Sequence, residues 1–188
     1  MNLPIHTTDT LLLDKYQAES VLLCMIHTLF FHRMIYKSVK PKEVAHPIFE
    51  SLYYIMIDDP DLHKSILDKI ESVLETLKER KTGTVRVIFY QNKSSGWFNK
   101  KEPVEMERWN IPIQWYEPYD KSLTHAFKEK GIIAVYQSFL SKLSSLSDPT
   151  CQVINDYIPF DIIDSDKSNS FKDLFEFIMS GPPKLGIF

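Results

Sequence analysis

The sequence predicts an α+β fold, three helices packed on a mainly antiparallel β-sheet. Three observations predict it. Apolar residues recur at helical spacing in three separate stretches. Two further segments alternate in the manner of strands, Val85, Val87 and Phe89 against Arg86 and Tyr90, and Trp109, Ile111, Ile113 and Trp115 against Asn110 and Gln114. A polar loop, Asn92 to Pro103, joins those two segments as an antiparallel pair.

The elements follow in order. Thr10 to Leu13 is a short apolar run that reads as a first strand. From about Gln17 the pattern turns helical through Ala18, Val21, Leu22, Met25 and Leu29, while Leu23, Ile26, Phe30 and Phe31 fill the opposite side. A helix apolar on both sides packs on both sides, which makes this one central. It is expected to end near Ile35 or Tyr36, before a basic, proline-containing loop, Lys37 to Pro47. Ile48 to Ile57, rich in aromatic and β-branched residues, reads as a strand. Asp59 before Pro60 is an N-cap followed by proline at the first helical position. Leu62, Ile66, Ile70, Val73 and Leu77 carry that second helix, with Lys78, Arg80 and Lys81 at its end and Gly83 as its stop. Pro112 lacks a ladder donor, so its strand is expected to lie at an edge or to carry a bulge. Asp120 is a candidate cap for a third helix, with Ala126 and Phe127 on one stripe, Ile132, Tyr136, Phe139 and Leu143 on a second after Gly131, and Pro149 closing it. Gln152 to Ile163 has strand-like content broken by Pro159, and Phe171, Leu174, Phe175 and Ile178 suggest a short helix.

Composition bounds the function. The chain has 188 residues, 44% hydrophobic and 25% charged, without a composition break, and so reads as one domain with one core. A net charge of -3 gives no general affinity for nucleic acid or acidic membranes. Five glycines offer few phosphate-cradling positions, and GxGxxG, GxxxxGK and GxSxG are all absent. Cys24 and Cys151 form no CxxC pair, the usage of a reducing compartment, and Cys24 sits among apolar residues as a buried thiol. The most apolar window, Val21 to Phe31, is shorter than a membrane span, so a cytoplasmic protein is expected.

No catalytic, cofactor-binding or metal site emerges. His27 and His32 lie five residues apart on a helix, about 140° from one another, and do not share a metal readily; each is better explained as a hydrogen-bonded or interface residue. Asp58, Asp59 and Asp61 cluster where a helix begins, which accounts for them as capping residues. Trp97 and Phe98 resist such an account. Two large rings inside a loop of Asn, Lys, Ser and Gly either tuck back onto the sheet or project as a finger that another protein covers.

The segment His27-Thr28-Leu29-Phe30-Phe31-His32-Arg33, the run Ile88-Phe89-Tyr90-Gln91-Asn92-Lys93-Ser94 followed by Trp97-Phe98, and the Trp109 strand together resemble the autophagy-related protein 101 family, over about residues 15 to 120. The resemblance implies a single HORMA domain over residues 1–188, with an open-type C-terminal arrangement and a tail at 163–188. It implies a non-catalytic scaffold of the autophagy initiation kinase complex, found in the cytoplasm at the autophagosome formation site. Such a scaffold pairs with and stabilises the HORMA domain of autophagy-related protein 13. By the same resemblance Trp97 and Phe98 are the finger that recruits downstream autophagy factors, although animal members place a proline between the two rings. His32 and Arg33 fall on the family's helix-end motif and are candidates for a partner-facing surface. Two alternatives remain at this point: a HORMA protein of the checkpoint or meiotic type that closes on a peptide motif, and a small-molecule enzyme, for which a pocket of convergent polar groups would speak.

Overall fold

The computed structural model describes residues 3–33, 40–95, 100–116, 125–146 and 159–166. These described residues form an α+β architecture with three helices and a mixed sheet. Along the chain come β1 (Ile5–Thr7), β2 (Leu11–Leu13), α1 (Ala18–Arg33), β3 (Pro41–Ala45), β4 (Tyr53–Ile57), α2 (Pro60–Leu77), β5 (Thr82–Ser95), β6 (Lys100–Trp115), α3 (His125–Ser145) and β7 (Phe160–Asp164).

The main sheet runs β1-β6-β5-β7, with β2 also on β6. The β5–β6 and β5–β7 pairs are antiparallel, as expected, while β1 and β2 join β6 in parallel. Pro112 accordingly does not mark an edge strand, since β6 has neighbours on both sides. β1 pairs with residues 108–110 and β2 with residues 113–115, so the break between the two short strands falls at Ile111 and Pro112, where no N–H is needed on that side. The bulge lies elsewhere: Phe89 pairs with Glu107 but Tyr90 with Glu105, leaving Met106 as the extra residue. That residue moves Glu105 to the opposite face from Glu107, where it takes two bonds from Arg108, at 2.6 and 2.8 Å.

The segment expected as a loop from Lys37 to Pro47 contains β3, which pairs with β4 in a two-stranded ribbon separate from the main sheet. Its side chains are mostly exposed, so no apolar alternation announced it. The expected strand at Ile48 to Ile57 begins only at Tyr53. Before it, His46 organises a turn in which Nδ1 accepts the N–H of Ile48 and of Phe49, each at 3.2 Å, and His46 N donates to the Leu52 carbonyl at 2.8 Å.

α1 is buried on nearly every side, as a central helix is. Asp14 opens it, Oδ1 accepting from the N–H of Tyr16 and of Gln17. α2 starts as the sequence indicates, with Asp59 Oδ1 accepting from Asp61 N and Leu62 N at 3.0 Å each. Its end differs from expectation. The helix stops at Leu77, and Gly83 lies inside β5, where a Cβ would come within 2.4 Å of a Leu77 methyl; glycine here leaves room for a buried leucine. Arg80, past the helix, bridges Asp164 at 2.9 Å and Asp166 at 2.8 Å.

α3 runs unbroken through Gly131. A Cβ there would meet nothing within 4 Å. Gly131→Ala is therefore expected to raise stability by about 0.5–1 kcal/mol, read as a higher urea midpoint at unchanged slope, because alanine has less backbone freedom to lose on folding. The candidate cap Asp120, Pro149, Cys151 and the suggested helix at Phe171 to Ile178 lie outside the described residues. Ile163 and Asp164, expected to open the tail, belong to β7.

The core forms where the helices meet one face of the sheet. Phe30 of α1 lies 4.5 Å edge-on from Phe160 and 5.2 Å from Phe89, and Phe139 of α3 meets Trp109 edge-on at 5.5 Å. All five rings are almost wholly shielded from water.

Candidate functional site

The C-terminal half of α1 lies between the ribbon and α3. Thr28 fixes the arrangement: its hydroxyl bonds the Cys24 carbonyl at 2.9 Å and the Tyr136 hydroxyl at 2.8 Å, which ties α1 to α3. Burial raises the Tyr136 hydroxyl well above the ordinary phenol range and pushes the Cys24 thiol up to about 12, so neither ionises near neutrality.

In β4, Tyr54 is buried between Tyr53, 56% exposed, and Ile55, 39% exposed, which share the opposite face of the strand; Ile57, on that same face, is buried at the strand's end. These two exposed side chains help wall a groove of about 250 Å³. Thr28, Phe31 and His32 form its α1 wall, Glu43 joins Tyr53, Tyr54 and Ile55 on the ribbon, and Tyr136 and Leu140 close it from α3. Phe31 and His32 are half-buried, with their rings edge to face at 5.8 Å. Burial first, and the neighbouring Arg33 charge second, lower the pKa of His32, so the groove presents a neutral imidazole at pH 7.

The two helix-end candidates part company. His32 lines the groove. Arg33 is 4% exposed and turns into the core, where its Nε donates to Glu107 Oε1 at 3.0 Å and its guanidinium lies 5.9 Å from the Trp109 ring centre. The same carboxylate oxygen accepts from Trp109 Nε1 at 2.7 Å and has His6 Nε2 at 3.4 Å. Any influence of Arg33 on a surface is thus indirect, through the anchoring of the end of α1.

His27, fully buried, bonds His63 of α2 through Nε2···Nδ1 at 3.0 Å, with the rings nearly parallel. Among the described residues no group of three or more His, Cys, Asp or Glu could hold a metal ion, and no helix is long and apolar enough to cross a membrane.

Trp97 and Phe98 lie outside the described residues. The strands leading to them are described: the β5–β6 pairing continues past the last partners of β7 and β1, at Phe89 and Arg108, to Ser95 and Lys100, a two-stranded arm beyond the sheet. Sequence reasoning missed Glu43, Tyr53, Ile55, Tyr136 and Leu140 as groove residues. The one available signal was the aromatic content of the stretch from Ile48 to Ile57.

Fold and groove together define the class: an α+β domain with a solvent-open, largely apolar groove walled by two helices and a β-ribbon. The family model described as autophagy-related protein 101 matches residues 10–160, and autophagy-related protein 101 of Arabidopsis thaliana is 28% identical over 122 residues, 63% of this chain and 56% of that relative. The chain belongs to the autophagy-related protein 101 family. It spans little more than half the length of the Arabidopsis relative.

Proposed function

We propose that this chain is a non-catalytic scaffold of the autophagy initiation kinase complex. In this reading it is one HORMA domain with an open-type C-terminal arrangement, working in the cytoplasm at the site of autophagosome formation. It binds the HORMA domain of autophagy-related protein 13 and stabilises it by mass action. Trp97 and Phe98, at the end of the β5–β6 arm, recruit downstream autophagy factors.

The observation that carries the reading is the exposed pair Tyr53 and Ile55 beside the apolar groove. Large side chains exposed together next to a concavity forgo burial that a partner would supply, and aromatic anchors of this kind dominate interface energetics. Tyr53→Ala with Ile55→Ala is expected to weaken binding to the autophagy-related protein 13 HORMA domain by roughly 10- to 100-fold, at about 1–3 kcal/mol of lost contact. The variant alone should melt close to the parent, because both side chains are exposed. Trp97→Ala with Phe98→Ala should leave that dimer intact and reduce capture of downstream factors. Unchanged affinity in the ribbon variant would remove the groove from the interface, and unfolding of the Trp97/Phe98 variant would make those rings core residues.

A further inference from the structure

We infer that the partner fills the groove with an apolar side chain carried beside a lysine or arginine, and that Glu43 is the carboxylate that pairs with this cation. The inference deepens the reading of the groove as the partner surface and rests on it.

The argument starts from what the groove offers. At about 250 Å³ and open to solvent it falls below the usual volume of an enclosing small-molecule pocket, and it suits one or two large side chains. Its walls are apolar or aromatic except for hydroxyls, one imidazole and one carboxylate. The Thr28 and Tyr136 hydroxyls already satisfy one another. His32 is held neutral. Glu43 is therefore the one charged group on the lining, and among the described residues it forms no ion pair.

The ribbon register sets the nearby lysine apart from it. Glu43 pairs with exposed Ile55, and both line the groove, whereas Lys42 pairs with Met56 on the other face of the ribbon, and neither of these lines it. An apolar surface closing over an unpaired carboxylate would strip its water without compensation. A cation in the occupant removes that penalty, and an acidic or purely apolar occupant does not. Charge complementarity thus selects a cation beside the apolar anchor.

The test uses the full chain and calorimetric titration with the HORMA domain of autophagy-related protein 13, at low and at high salt. Glu43→Lys is expected to weaken binding by roughly 10-fold or more at low salt, and Glu43→Gln by a few-fold, with both deficits shrinking at high salt. The isolated variants should melt like the parent, since Glu43 is exposed. Parent-like affinity for Glu43→Lys, with binding still sensitive to Tyr53→Ala and Ile55→Ala, would overturn the cation and leave the groove reading standing. Insensitivity to all three, or no binding by the parent, would remove the groove reading and the cation with it.

Discussion

Arg33→Ala is expected to destabilise the domain by about 3–5 kcal/mol, a fall in melting temperature of roughly 6–20 °C for a chain of this size. The cause lies in the group left behind. Glu107 is 2% exposed, and it keeps the Trp109 indole and the His6 ring as neighbours but loses the Arg33 guanidinium beside it. His6 is a poor substitute, because burial lowers its pKa by more than the Glu107 carboxylate raises it. Urea unfolding of the single variant and of Arg33→Met/Glu107→Gln separates charge from packing. The double variant should recover much of the loss, since removing both members of a buried pair is far milder than orphaning one. A loss below about 1 kcal/mol for Arg33→Ala would mean that water reaches Glu107.

Acidification from pH 6.5 to 4 is expected to remove about 3 kcal/mol of stability through His27 alone. Burial first, and His63 second, lower its pKa from 6.5 to about 4. A base whose folded pKa is depressed contributes no penalty above its unfolded pKa; as pH falls below 6.5 the unfolded chain takes up the proton while the folded chain resists it, and stability declines until the folded pKa is reached. His46 acts in the same direction: burial depresses it, and its Nδ1 accepts two backbone N–H groups that a proton would displace. Chemical unfolding measured across that window should show the slope, and His27→Gln should flatten it. An unchanged slope in His27→Gln would assign the acid sensitivity to other groups.

The parts of this fold that local chemistry dictates were legible in the sequence. Asp59-Pro60 states a helix start through an oxygen and a missing N–H, and the bonds to Asp61 and Leu62 are the ones that chemistry provides. The Trp109 strand and its antiparallel partner follow from period-two alternation. What depended on partners far along the chain was not legible. Arg33 and Glu107 are 74 residues apart, and each alone reads as a surface charge. Pro41–Ala45, exposed along most of its length, has no buried face to betray a strand. The groove suffers from the same distance effect. His32 was found through a local motif, but Leu140 and Ile55 reach it only once α3 and the ribbon have packed against α1. The run Tyr53-Tyr54-Ile55-Met56-Ile57 is apolar at every position, so nothing local says which side chains face water.

The extra residue Met106 has an effect beyond its own position. Side chains along paired strands change sides at every step, so one unmatched residue exchanges inside for outside along everything that follows on its strand. On one side of it the odd-numbered Glu107 and Trp109 belong to the interior; on the other the odd-numbered Glu105, opposite Tyr90, belongs to the other face. Period-two alternation read along β6 alone therefore fails at its root, and only the pairing with the unbroken β5 tells which face a β6 position above Met106 belongs to.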